Sequence, residues 1–174
     1  MKKKLAYPLL FTLLIALMMS AGCKRTKSAS EANEIKWMSY EEAVLASEKK
    51  PKKIFVDVYT GWCGWCKVMD KNVFTNPDII KLVNKHFYPV KLNAESKKTL
   101  IYKGKEMEER ELARNEFRAT GYPTTVYIDS RGNLLESVPG YLEADVLQKV
   151  LLYFGEDHYK TATWDQFQKR FVNP

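Results

Sequence analysis

Apolar residues fall along the chain in short runs of two kinds, and their alternation predicts the order of elements. Residues 54–59, Ile-Phe-Val-Asp-Val-Tyr, are apolar apart from Asp57, the composition of a strand inside a sheet. Residues 88–92 read as a second strand. Between the two, a helix is expected to start beside Cys63 and run through Lys67, Val68 and Met69. Asn76-Pro77 opens another, with proline in the first turn and Ile79, Ile80, Leu82 and Val83 behind it. Upstream, Ser39 and Glu42 form a capping box for a short helix that uses Ala43, Val44 and Ala46 and ends near Glu48. Order is expected to begin at Ile35-Lys36-Trp37, and residues 49–53, with Pro51, make a charged turn.

The second half is patterned differently. Residues 97–105 are polar and predict a loop. Residues 107–118 have helical composition, with Leu112, Ala113 and Phe117 facing inward and Glu106, Glu108, Glu109 and Arg110 beside or on a solvated face. Residues 124–128 and 134–138 flank Asp129-Ser130-Arg131-Gly132-Asn133, a β-hairpin signature. Residues 143–154 predict the last long helix. Thr163 to Gln166 can cap one more short helix, with Trp164, Phe167 and Phe171 on one face. Helices between the early strands and a hairpin late give an α/β fold, a mixed central sheet with helices on both faces.

The first residues read as an address. Three lysines follow Met1, and residues 9–19 are apolar except for Thr12, roughly half of the ~20 residues a membrane span needs. With small residues at Ser20-Ala21-Gly22, residues 1–22 are expected to be an export signal. Ser20-Ala21-Gly22-Cys23 resembles the lipobox of bacterial lipoproteins, with Ser20 where a large aliphatic residue is usual. The resemblance implies acylation of Cys23, whose thiolate supplies the nucleophile. The alternatives are a short N-terminal membrane anchor and an unmodified Cys23. Residues 23–34, polar, small and aperiodic, would then be a lipid-anchored flexible tether.

Charge changes meaning once these segments are set apart. The formal charge of +7 loses three lysines with residues 1–22 and becomes +4. Lys24, Arg25 and Lys27 against Glu31 account for a further +2, leaving +2 on the rest. The basic excess therefore belongs mostly to the leader and the tether, where it suits anionic headgroups. No basic stripe with interleaved aromatics survives, so nucleic acid is excluded as the expected partner.

Three cysteines are too few for a disulfide scaffold. Cys63 and Cys66, two residues apart at a helix start, suit redox chemistry: the free amides and dipole favour a thiolate on the first, and the second lies one turn on. The rival reading is half a zinc site. Zinc needs four ligands, and His86 and His158 are not at finger spacing, so no metal is expected. Asp57 inside an apolar strand is costly unless paired or functional, or unless it reaches solvent at the strand end.

Residues 55–67, Phe-Val-Asp-Val-Tyr-Thr-Gly-Trp-Cys-Gly-Trp-Cys-Lys, resemble the active-site strand, loop and helix of the thioredoxin superfamily. Gly121-Tyr122-Pro123-Thr124 resembles its cis-proline loop, and Val138-Pro139-Gly140 its final strand and glycine. The similarity covers about residues 37–154. Within the superfamily the chain looks similar to exported thioredoxin-like proteins with Trp-Cys-x-Trp-Cys-Lys sites and to the C-terminal domain of the transmembrane thiol-disulfide interchange protein. The implied layout is a thioredoxin-like domain over residues 35–155 and an extension over 156–174 with a short helix. Residues 97–118 form an insertion relative to minimal thioredoxin.

The resemblance also implies roles. Cys63 is the attacking thiolate and Cys66 the resolving thiol; Asp57 takes the resolving proton and Lys91 pairs with Asp57. Tyr122 and Pro123, with Pro123 cis, hold an extended substrate segment. Trp62 and Gly64 support the site. Trp65 is the unusual residue: neutral where a cation would favour the thiolate, it points to a moderately reducing couple. It can also contact a partner or lid the site. The expected activity is a membrane-tethered thiol-disulfide oxidoreductase reducing protein disulfides outside the cytoplasm, with protein disulfides and an unidentified electron donor as partners. No organic cofactor is required, and a monomer is expected. An oxidase or isomerase of the same fold, or a chaperone-like binding module without catalysis, are the alternatives.

Overall fold

The computed structural model describes residues 33–172, all within the compact unit Glu31–Pro174. The leader, Cys23 and the tether up to residue 32 lie outside the described residues.

β1 (Lys53–Tyr59) occupies the inside of a four-stranded sheet of order β2-β1-β5-β6. It runs parallel to β2 (Phe87–Asn93) and antiparallel to β5 (Thr124–Ile128), which pairs antiparallel with β6 (Leu134–Pro139). The chain reaches β2 through α2 (Gly64–Asn72) and α3 (Pro77–His86). α1 (Tyr40–Lys49) precedes β1, capped by Ser39 and Glu42 as the sequence predicts.

Strand alternation divides the core in two. Ile54, Val56 and Val58 join Val90, Leu92 and Val126 beneath α1 and the insertion. Phe55 joins Phe87 and Tyr127 beneath α2, α3 and α5 (Ala144–Gly155). Alternation puts Asp57 on the Phe55 side, the side covered by the helix that Cys63 opens. α6 (Trp164–Val172) has its first turn capped by Thr163 and Gln166, and Trp164 and Phe167 pack on Tyr153 of α5 at 5.3 and 5.1 Å. The side chain of Phe171 lies outside the described residues.

Two expectations fail in the insertion. Residues 97–105 are not a loop: β3 (Thr99–Tyr102) and β4 (Lys105–Glu108) form a hairpin. Its turn is Lys103-Gly104, with φ of +49° and +79°, the pair of left-handed residues that two-residue hairpins favour. Leu100 and Tyr102 are buried on alternate positions, a period of two hidden among lysines. The helix expected over residues 107–118 shrinks to α4 (Glu109–Glu111) and a π-helical turn at Leu112–Glu116. The Phe117 amide donates to the Leu112 carbonyl at 3.0 Å, and this wider turn puts Leu112, Ala113 and Phe117 into the core together.

Candidate active site

Cys63 is the N-cap of α2, and its sulfur accepts the Cys66 amide hydrogen at 3.0 Å. The two cysteines are joined by a disulfide with an S–S distance of 2.08 Å, and both are buried. Gly64 opens the helix between them. The flanking tryptophans do the opposite: Trp62 is 68% and Trp65 61% exposed. Each leans on a tyrosine from another part of the chain. Trp62 meets Tyr122 edge-on at 6.0 Å, and Trp65 meets Tyr141 at 5.2 Å. Aromatic surface thus frames the disulfide on two sides.

The Tyr122-Pro123 bond is cis. Pro123 stands immediately before β5, where its missing amide hydrogen removes nothing from the ladder. Its carbonyl accepts from the Gly140 amide at 2.8 Å. Gly140 has φ of +93°, a conformation that favours glycine. The Thr124 hydroxyl donates to the Gly121 carbonyl at 2.8 Å, closing the loop on itself.

Beneath the disulfide helix, Asp57 and Lys91 are register partners across β1 and β2. The Lys91 ammonium donates to Asp57 Oδ2 at 2.6 Å. Asp57 is 1% exposed, and its Oδ1 is buried without a hydrogen-bond partner. Burial pushes the Asp57 carboxyl up to about 6, against the pull of Lys91. Burial alone would lower Lys91, but Asp57 and Asp70 outweigh it and hold the ammonium above its ordinary range. The Asp57–Lys91 pairing matches the arrangement the resemblance implies.

Two carboxylates at the site escaped sequence reasoning. Asp70 in α2 makes a second ion pair with Lys91, four residues after Cys66 and so on the same side of the helix. Glu95, after β2, accepts from the Gly61 amide at 3.0 Å and from the Trp62 indole N–H at 2.9 Å. The signal for Asp70 was its spacing from Cys66; for Glu95 there was none, because the contact spans a chain reversal. His86 and His158 each face Glu156 at 3.5 Å. Among the described residues no group of three or more His, Cys, Asp or Glu side chains could hold a metal ion. Among them, too, no helix is long and apolar enough to cross a membrane.

A profile of the thioredoxin-like domain matches residues 40–155. The chain belongs to this family: it has the thioredoxin-like fold with a cysteine pair, the fold of disulfide oxidoreductases and isomerases. Among solved structures it is similar to a disulphide-isomerase candidate from Bacteroides thetaiotaomicron, at 32% identity over 70% of this chain and 93% of that one, with a TM-score of 0.53. The DsbH oxidoreductase (24% identity, 80% and 94% coverage, TM-score 0.55) and the DsbD C-terminal domain of Neisseria meningitidis (21%, 66% and 90%, 0.51) share the fold. An uncharacterized protein of Archaeoglobus fulgidus is 32% identical over 65 residues, 37% of this chain and 51% of that protein. The match to Spermatogenesis-associated protein 20 of Homo sapiens, 32% identical over 66 residues and 37% of this chain, spans only 8% of that protein.

Proposed function

We propose that the chain is a membrane-tethered thiol-disulfide oxidoreductase that reduces protein disulfides outside the cytoplasm. The observation that carries this reading is the place of Cys63 at the start of α2, bonded to Cys66 one turn on. Helix amides and dipole there favour a thiolate. In the reduced protein the Cys63 thiolate attacks one sulfur of a substrate disulfide, and the other substrate sulfur leaves as a thiolate. Cys66 gives its proton to Asp57, and the Cys66 thiolate attacks the Cys63 sulfur. The second substrate thiolate is released and Cys63–Cys66 is left oxidised, two electrons having passed to the substrate. A thiol donor returns them, and no organic cofactor takes part.

Tyr122 and Pro123 hold the substrate segment in this reading, and Trp62, Gly64 and Trp65 shape the entrance. Lys91 holds Asp57 in place. The protein acts as a monomer, facing the periplasm from a membrane to which acylated Cys23 anchors it after the leader over residues 1–22 is removed. Loss of fatty-acid labelling in Cys23→Ser is the expected result there; labelling that persists overturns the anchor.

The test of the chemistry is trapping. Cys66→Ala should accumulate covalent mixed disulfides with substrate proteins, and Cys63→Ser should form none and lose dithiol-dependent insulin reduction. A Cys66→Ala chain that captures nothing while folded favours a binding module. The 32% identical relative described as a disulphide-isomerase candidate favours isomerisation as the second reading, and the reduction potential of the pair separates the two.

A further inference from the structure

Lys91 has one ammonium and two carboxylates to serve. Asp57 reaches it from β1 and is buried; Asp70 reaches it from α2 with its side chain 47% exposed. The rings of Trp37, Tyr59 and Phe74 surround the same nitrogen at 4.9, 5.2 and 5.1 Å. The ammonium thus lies beside three aromatic rings, between one buried carboxylate and one exposed carboxylate. The charged and titratable groups here are Asp57 and Tyr59 of β1, Lys91 of β2 and Asp70 of α2, the helix that also bears Cys66.

We infer that Asp70 is a positioning residue, which holds Lys91 from the solvent side and thereby tunes the buried Asp57 that serves the resolving cysteine. This rests on the proposed role of Asp57. Asp70 acts in two ways of the same sign. It takes a share of the Lys91 ammonium that Asp57 would otherwise have, and it adds a negative charge of its own nearby. Both make Asp57 keep its proton to higher pH. A carboxyl that must take a proton from Cys66 and then lose it to solvent works best when it titrates near the working pH. Without Asp70, Lys91 would belong to Asp57 alone, and Asp57 would be a weaker base. The placement also links the tuning group to the reacting cysteine, since Cys66 and Asp70 ride on one helix and move with it.

The experiment follows the Asp57 side-chain carboxyl carbon by NMR through a pH titration of the oxidised full-length protein. Asp70→Asn is expected to lower the Asp57 midpoint by about half a unit to one unit, the effect of one partly screened charge. Lys91→Met is expected to move it the other way. Asp70→Glu keeps the charge and should keep the midpoint. In the reduced protein, the pH profile of mixed-disulfide resolution should shift down with Asp70→Asn by the same amount. An Asp57 midpoint that stays put or rises in Asp70→Asn, or that falls as far in Asp70→Glu, overturns the inference. A chain in which Asp57 responds as stated but no disulfide is turned over overturns the proposed function and leaves the coupling standing.

Discussion

Asp57 and Lys91 stand directly opposite each other in the parallel register of β1 and β2, joined by a hydrogen bond of 2.6 Å. A buried carboxyl held up to about 6 by its surroundings ties stability to pH. In the unfolded chain it ionises near its ordinary value of 3.8, so between the two values the folded chain binds more protons. The contribution of Asp57 to stability is therefore largest below pH 4 and declines as pH rises through 6. The decline amounts to about 3 kcal/mol. Lys91 stays charged throughout this window. Asp57→Asn removes the dependence, so its stability relative to the parent chain should rise by about that amount between pH 4 and pH 7. Urea unfolding at a series of pH values checks this, and a constant difference between the two chains refutes it.

Trp65 sets a second expectation. It places a neutral, exposed ring between the cysteines, resting on Tyr141 at 5.2 Å. Trp65→His brings a cation beside the Cys63 thiolate when the imidazole is protonated, which stabilises the reduced form and makes the couple more oxidising. Each 1.4 kcal/mol of such stabilisation moves the potential by about 30 mV. Because the imidazole ionises around pH 6.5, the gap between variant and parent should be wider at pH 6 than at pH 8. Equal potentials for the two chains at pH 6 would contradict the assignment of a moderately reducing couple to the neutral Trp65.

The site was legible where its chemistry is local in the chain. Cys63, Cys66, Trp62 and the Tyr122-Pro123 loop each sit in a short motif, and Asp57 stands out because a strand otherwise apolar has no cheap place for an acid. Lys91 was harder, since a lysine on edge strand β2 is ordinarily solvated, and only pairing across the register gives it a purpose. Glu95 carries no pattern in the chain, and the one signal for Asp70, its four-residue spacing from Cys66, points to Lys91 only once α2 is packed over β2. In the fold, the periodic segments outside residues 97–118 form the helices and strands their patterns predict. The β3–β4 hairpin was not legible, because four-residue strands show too few alternations and Lys103-Gly104 is a weaker turn signal than Asn-Gly. The π-turn was read as ordinary helix, because Leu112, Ala113 and Phe117 also suit one helical face.

Glu95 supplies the third prediction. One carboxylate receives both the Gly61 amide and the Trp62 indole, fixing the loop that leads into Cys63. Both bonds are exposed, and each is worth roughly 0.5–1.5 kcal/mol. Glu95→Ala should cost about 1–2 kcal/mol, and Glu95→Gln, which keeps one acceptor oxygen, about half as much. Trp62 fluorescence should change in parallel, because the indole loses its anchor. Unfolding midpoints that match the parent chain, with unchanged fluorescence, would mean the carboxylate is only a surface contact.

A contact between α3 and α5 gives the last. A Cβ on Gly155, at the end of α5, would lie 3.0 Å from Cβ and Cγ of His86 and 3.3 Å from the ring of Phe87. His86 ends α3 and Phe87 is wholly buried in β2, so neither neighbour can retreat as a free side chain would. Gly155→Ala gains up to about 1 kcal/mol in helix propensity. Against this stands an overpacking cost of about 1–3 kcal/mol, which is expected to prevail because a Cβ cannot rotate away. The variant should therefore unfold at a lower urea concentration than the parent chain with an unchanged denaturant slope. Equal or greater stability would show that α3 and α5 slide apart freely, and that this contact does not fix the spacing of the two helices.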